Sequence, residues 1–245
     1  MNENGVLDMI NHKTNLNKIR STAEMLLYID IHPTEIDFIA SHLFTNTFFT
    51  GIKIDGEFEM IDLHEEKNVD RWRATLKKMI DKSSLIDILM MMNSPYVLLF
   101  LKMIQGFVSP SDMGGALAFS WSMIENISTD CNVTSKEMVR LFSYAAKESL
   151  MTKAERKRLS ELPDTVTVFR GVTNYNKKNR HALSWTLSRE TADWFANRYH
   201  KGDGEIWELS VPKEHILCYF EGRSEDEVIL DMHQLSKYIR VSGHA

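Results

Sequence analysis

A change of texture near residue 165 constrains this chain more than any other feature of it. Upstream, apolar residues recur at helical spacing, and Val69, Trp72, Leu76, Met79 and Ile80 fall on one face. Downstream, short runs alternate and are rich in Val and Thr, as strands are. The expected fold class is therefore α+β, with a helical region over 1–162 and a β-rich region over 163–245.

The helical part carries its own punctuation. Ser94-Pro95 is a start signal, because Pro is tolerated at the first helical position. Thr134 with Glu137 and Thr152 with Glu155 each have capping-box spacing, and Pro163 closes the second of these helices. Met138, Leu141, Phe142 and Ala145 form the stripe that the first box introduces. Asp55-Gly56, between Ile52-Lys53-Ile54 and Glu57–Met60, predicts a small hairpin near 52–62. The apolar stretch Leu85–Val108 is broken by Asp87, Asn93-Ser94-Pro95 and Lys102, so it reads as two buried helices and not a membrane span. Met90-Met91-Met92 reads as core filler rather than a binding groove.

In the second part, strands are expected at Thr165–Phe169, Leu183–Leu187, Ile206–Val211, Ile216–Phe220, Val228–Leu230 and Tyr238–Val241. Ser188 offers an N-cap to a helix whose face is Ala192, Phe195, Ala196 and Tyr199. Gly202-Asp203-Gly204 is the expected turn that follows.

A net charge of −5 argues against bulk electrostatic binding to nucleic acid. The acidic surplus lies in residues 1–150, and Lys153/Arg156/Lys157/Arg158 and Lys177/Lys178/Arg180 form local basic clusters. Such runs are usually solvated faces. Cys131 and Cys218 show neither metal-ligand spacing nor a disulfide framework. The start lacks the apolar core of a signal peptide, so a reduced, cytoplasmic protein without membrane attachment is expected.

Three segments of the second part carry chemistry. Val166–Gly171 ends in Arg170 and Gly171: an Arg fork suits a phosphate, and Gly lets backbone approach a ligand. Ser184-Trp185-Thr186-Leu187-Ser188 places three hydroxyls on alternate residues, hence on one strand face. Glu225-Asp226-Glu227 precedes the apolar run Val228–Leu230; in a strand, both glutamates would point the same way, toward a cation or a carbocation-like transition state. The bland readings are a surface Arg, ordinary strand hydroxyls and a solvated strand entry. Trp185, Phe169 and Tyr175 could stack on a ring, with packing as the alternative. His181 and His215 read as surface, and Glu221 and Arg223 as a solvated loop.

The order of the three segments resembles the R-S-E class of ADP-ribosyltransferases, which use NAD. LSWTLSRETADWFANRY is similar to the second motif of that family and EDEVIL to its third; the likeness covers about 164–241. Trp185 stands where the family usually has a small residue.

The resemblance implies a helical N-terminal region packed on a compact β-rich NAD-binding fold, with no metal. It implies that Arg170 binds the NAD phosphates and that the Gly171 backbone meets the nicotinamide amide. Ser184 would orient the catalytic glutamate, with Thr186 supporting the same strand and Trp185 beside the cofactor. Glu227 would stabilise the oxocarbenium ion, and Glu225 would engage the incoming nucleophile. The implied activity is mono-ADP-ribosyl transfer to a macromolecule, a protein arginine or an RNA. The implied setting is an intracellular toxin, a toxin–antitoxin pair with an inhibitor partner, or phage–host conflict and phage defence. An NAD glycohydrolase and a non-catalytic helical interaction module with a degenerate transferase fold are the rival expectations.

Overall fold

The computed structural model describes residues 13–54, 56–124, 131–198 and 204–242. Helices and sheet are both present and mixed, and the class is α+β. The residues fall into two compact units, Met1–Asp112 and Met113–Ala245. This division comes well before the expected boundary at 162/163, because four helices of the expected helical region cluster with the sheet. Among the described residues, no helix is long and apolar enough to cross a membrane.

The first unit is built from helices α1 (Leu16–Leu27), α2 (Glu66–Ile80), α3 (Leu85–Met91) and α4 (Val97–Ile104). Each is short, so its stability comes chiefly from burying one face. Ile19, Leu27, Trp72, Ile88, Phe100 and Leu101 make the core. The two helices expected within Leu85–Val108 are α3 and α4. Helix α3 opens on a capping box between Ser84 and Asp87, a signal of the same kind as those read from the sequence. A 3₁₀ turn at Ser94–Tyr96 precedes α4, with Pro95 in its first positions. Met79 departs from the expected stripe and is 50% exposed in the last turn of α2. Met92 is buried but Met90 is 66% exposed, so only part of the methionine run fills the core. Strands β1 (His32–Pro33) and β2 (Ala40–Ser41) form one small ladder, and β3 (Phe49–Ile54) pairs with β4 (Glu57–Asp62) as the hairpin. Gly56 takes φ 92° in its turn, while Asp55 lies outside the described residues.

The second unit holds α5, which runs over Pro110–Met123, and then α6 (Ser135–Tyr144), α7 (Lys147–Leu150) and α8 (Lys153–Glu161). Both expected capping boxes are present, Thr134 with Glu137 and Thr152 with Glu155. Strands β5 (Thr165–Val172), β6 (Ser184–Thr186), β7 (Glu205–Pro212), β8 (Ile216–Phe220), β9 (Glu227–Leu230) and β10 (Arg240–Ser242) make one sheet. Its order is β10-β7-β5-β6-β9-β8, with every neighbour antiparallel.

Two features of this sheet position the site. Strands β5 and β7 pair along their whole length, whereas β5 and β6 share the single pair Phe169↔Thr186. Beyond that pair the two strands part, and a gap opens beside Arg170. Helix α9 (Arg189–Asn197), capped by the Ser188 side chain, closes down on β5 with Ala192 and Ala196 buried. Tyr199 and the Gly202-Asp203 part of the expected turn lie outside the described residues.

Candidate functional site

The gap between β5 and β6 is the floor of a cleft of about 550 Å³. Arg170, Gly171, Ser184, Thr186, Glu225 and Glu227 all line it, so side chains far apart in sequence meet in one place. That volume lies within the range that holds a small ligand or cofactor, roughly 300–1,000 Å³.

Arg170 is not at a strand end as expected. Strand β5 continues through Val172, with Arg170 opposite Trp207 and Gly171 opposite Ile206. Where β6 has left the ladder, the Arg170 guanidinium donates through Nη1 to the Ser184 carbonyl. Its Nε is buried and has no hydrogen-bond partner. Burial lowers its pKa to about 10, and the Glu227 carboxylate pulls it back up, so the group stays cationic at neutral pH. An unmatched donor on a cation beside a cleft suits an anionic ligand such as a phosphate.

Gly171 has a use beyond letting a ligand approach. A Cβ placed there would lie 2.1 Å from the Ala192 carbonyl oxygen and 2.6 Å from the Ala196 nitrogen. Only a glycine lets the backbone of α9 come this close to β5.

The hydroxyl ladder is shorter than expected. Strand β6 ends at Thr186, and Ser188 leaves it to cap α9 by accepting from Thr191 N–H at 3.1 Å. The Ser184 hydroxyl donates to Glu227 Oε1 at 2.5 Å. The Thr186 hydroxyl donates to the Glu225 carbonyl at 2.6 Å and accepts from Ser188 N–H at 3.0 Å, so it holds a turn instead of reaching a ligand. Trp185 points its side chain into the core: it is 2% exposed and its indole N–H donates to the Ala182 carbonyl at 2.9 Å. Trp185 is among the residues that line the cleft, but its buried ring packs in the core and offers no open face for a stack. Tyr175 is 76% exposed and is not part of the cleft lining, whereas Phe169 is.

Period-2 alternation does not place the two glutamates. Strand β9 begins at Glu227, and the residues before it are a turn in which Ser224 and Asp226 take φ 54° and 47°. The turn is held by Leu187 N–H donating to the Asp226 carbonyl at 3.0 Å and by the Tyr219 hydroxyl donating to Asp226 Oδ1 at 2.6 Å. Glu225 and Glu227 reach the same cleft through this turn.

Glu227 is the most constrained group of the site. Besides Ser184, the Trp121 indole N–H donates to it, with Nε1 3.1 Å from both Oε1 and Oε2. Burial raises its carboxyl pKa; the bonds from Ser184 and Trp121 oppose that rise, Glu225 adds to it and Arg223 opposes it. Glu225 is also raised by burial, against the pull of Arg223 and Arg198. Two carboxylates on one cleft, one of them disfavouring the other's charge, can steady a positive charge that develops beside them.

No protein-family model, curated protein or solved structure matches this chain.

Four contributors were not among the expected site residues: Trp121 and Arg223 lie outside every motif, whereas Trp194 and Arg198 fall within LSWTLSRETADWFANRY. Trp121 comes from α5, and Trp194 and Arg198 come from α9 and its C-terminal cap. Arg223, expected as solvated loop, is exposed yet donates to the Trp121 and Ser122 carbonyls at 3.3 and 2.8 Å. Helical periodicity reports which face of a helix is apolar, and it cannot say that one indole meets a carboxylate 106 positions away.

A second cavity of about 400 Å³ shares Trp121, Ser122, Arg223, Glu225 and Glu227 with the cleft. It adds Glu148 and Glu155 to an apolar lining of Leu150, Met151 and Phe220. Glu155 is already engaged, accepting from Thr152 N–H at 2.7 Å and Glu221 N–H at 2.9 Å. No group of His, Cys, Asp and Glu suited to a metal occurs among the described residues.

Proposed function

We propose that this protein is a mono-ADP-ribosyltransferase that cleaves NAD and passes ADP-ribose to a macromolecular acceptor. The observation that carries the reading is the meeting of Arg170, Ser184 and Glu227 on one cleft, with Ser184 bonded to both of the others.

Arg170 neutralises the pyrophosphate, and its unmatched Nε–H is available to a phosphate oxygen. Trp194, 60% exposed at the cleft, offers a ring face to a base. Glu227 accepts from the ribose 2′-hydroxyl and stands beside the anomeric carbon. The C–N bond to nicotinamide breaks with its electron pair going to the ring nitrogen, which neutralises the pyridinium. The positive charge left on the ribose is steadied by the Glu227 carboxylate, the device that glycosidases use. An acceptor nucleophile then bonds to the anomeric carbon, and Glu225 takes its proton.

The second cavity supports a cationic acceptor. Its carboxylates and apolar lining suit a guanidinium on a hydrocarbon stem better than a polyanion. The basic clusters that favour RNA are partly engaged elsewhere: Arg156 donates to the Glu148 and Met151 carbonyls, and Arg180 to that of Ser236.

Labelled NAD incubated with the protein and cell extract tests the reading. Label that protease releases identifies a protein acceptor, and label that ribonuclease releases identifies RNA. Free ADP-ribose alone identifies a glycohydrolase. No cleavage and no NAD binding would sink the enzymatic reading and leave the interaction module. A cytoplasmic toxin or phage–host effector, with an inhibitor as partner, is the setting that accompanies this activity. Growth arrest on expression that disappears in E227Q supports it.

A further inference from the structure

We infer that Trp121 is a positioning residue, whose indole N–H grips both oxygens of Glu227 and, together with the Ser184 hydroxyl, holds that carboxylate in place at the cleft. The inference rests on the reading of the cleft as an NAD site and adds a residue that none of the three motif segments contains.

The geometry is specific. A carboxylate turns about its terminal bond in a broad, roughly two-fold potential, and the bond from Ser184 to Oε1 sets the angle of its plane but does not by itself fix where the group sits. A donor at 3.1 Å from both oxygens faces the edge of the group and holds the carboxylate end in place, so the motion left to it is rotation about that terminal bond, which the Ser184 bond to one oxygen resists. The donor itself is held firmly. Trp121 is 5% exposed, its ring meets Phe142 edge-on at 5.0 Å and lies nearly parallel to Phe220 at 6.5 Å. The Arg223 guanidinium bonds the carbonyls at the end of its helix.

An indole has one donor and no acceptor, so a buried Trp must find a partner somewhere. A merely structural Trp121 would satisfy that need with any carbonyl. Here the partner is the one carboxylate that also takes the Ser184 hydroxyl, and Trp121 lines both cavities that share Glu225 and Glu227. The charged groups that act on Glu227 are Glu225 and Arg223 from the preceding loop and Arg170 from β5. None of them bonds its oxygens in the way the indole does.

The test uses the full chain, labelled with ¹⁵N and ¹³C and assigned sequentially, so that the Trp121 indole N–H is distinguished from those of the other four Trp. Its resonance is expected to move through the titration of Glu227 and to lose that titration in E227Q. An indole resonance indifferent to both overturns the inference, and no turnover is needed to see it. In W121F, kcat for NAD cleavage is expected to fall roughly 10- to 100-fold. KM for NAD should stay within about threefold, since the phosphate contacts are untouched. The acid limb of the pH profile should move to higher pH, because the lost donor favoured the charged carboxylate. An unchanged kcat and acid limb in a folded W121F also overturn it. Should W121F not fold, the indole titration decides alone. A wild-type chain that cleaves no NAD defeats the proposed function, while the indole titration still decides the Trp121–Glu227 contact.

Discussion

Ser184 and Glu227 are diagonal neighbours across β6 and β9. The register puts Thr186 opposite Glu227 and Ser184 opposite Ile229, which leaves the Ser184 hydroxyl 2.5 Å from Glu227 Oε1. Diagonal residues on one sheet face come within reach of longer side chains, and here the reach is a charge-assisted hydrogen bond. Serine is short enough to leave space over the strand while its carbonyl holds the Arg170 guanidinium.

S184A is expected to reduce NAD cleavage by about 10- to 100-fold, because one donor to the carboxylate is lost while the Arg170 contact, made to backbone, is kept. Denaturant unfolding should change by only about 1 kcal/mol. Steady-state rates and an unfolding curve on the same preparation separate the two effects.

Gly171 and Gly115 offer opposite outcomes for the same change. At Gly171 a methyl group would meet the backbone of α9 at 2.1 Å, and backbone cannot rotate out of the way. G171A should cost about 2–3 kcal/mol and disturb the neighbouring Arg170. At Gly115, inside α5, an added Cβ meets nothing within 4 Å, and G115A should stabilise by about 0.5–1 kcal/mol. Equilibrium unfolding in urea of the two variants checks the contrast.

These positions show what the sequence discloses and what it hides. Local chemistry was plain to read: Thr134 with Glu137 and Thr152 with Glu155 are capping boxes, and the strands from Thr165 onward occur in the expected order. Their reciprocal bonds span three residues, so spacing alone carries the information. The turn before Glu227 was not legible, because alternation assumes extended backbone and Asp226 takes φ 47°. The division of units was hidden too. Whether α5, α6, α7 and α8 cluster with helices or with a sheet depends on which apolar faces meet, and a periodic stripe does not name its partner. For Trp121 no sequence signal exists, since nothing in the helix Pro110–Met123 marks one indole as the partner of an acid.

His42, 2% exposed beside the edge of Trp72, gives the first unit an acid sensitivity. Burial and the neighbouring Arg73 lower its pKa from 6.5 to about 4, against the opposing pull of the Ile29 and Leu27 carbonyls. The folded state thus prefers the neutral ring, and the unfolded chain binds the proton first as pH falls. Stability from this group is complete above pH 6.5 and is lost as pH drops toward about 4. H42N, whose Oδ1 stands where Nδ1 accepts from Phe44 N–H and which does not titrate, should flatten that part of the stability profile. Unfolding free energies of both proteins between pH 7 and about pH 4 measure it.

Glu227 titrates with the opposite consequence. Its folded pKa lies above the unfolded value, chiefly through burial, so its neutral form is the one the fold prefers. Stability from this group is therefore present below the unfolded pKa and is lost as pH rises through the folded one. E227Q, neutral at every pH, should be at least as stable as wild type at neutral pH, with the gap closing in acid. Activity runs the other way. Only the carboxylate steadies a ribosyl cation, so NAD cleavage should fail as pH drops through a pKa above the ordinary glutamate value, and E227Q should lose roughly 10²-fold or more in rate. Thermal unfolding and NAD cleavage measured over the same pH series test both halves. A stability gap that widens in acid, or an activity that survives in E227Q, would remove Glu227 from the role argued for it.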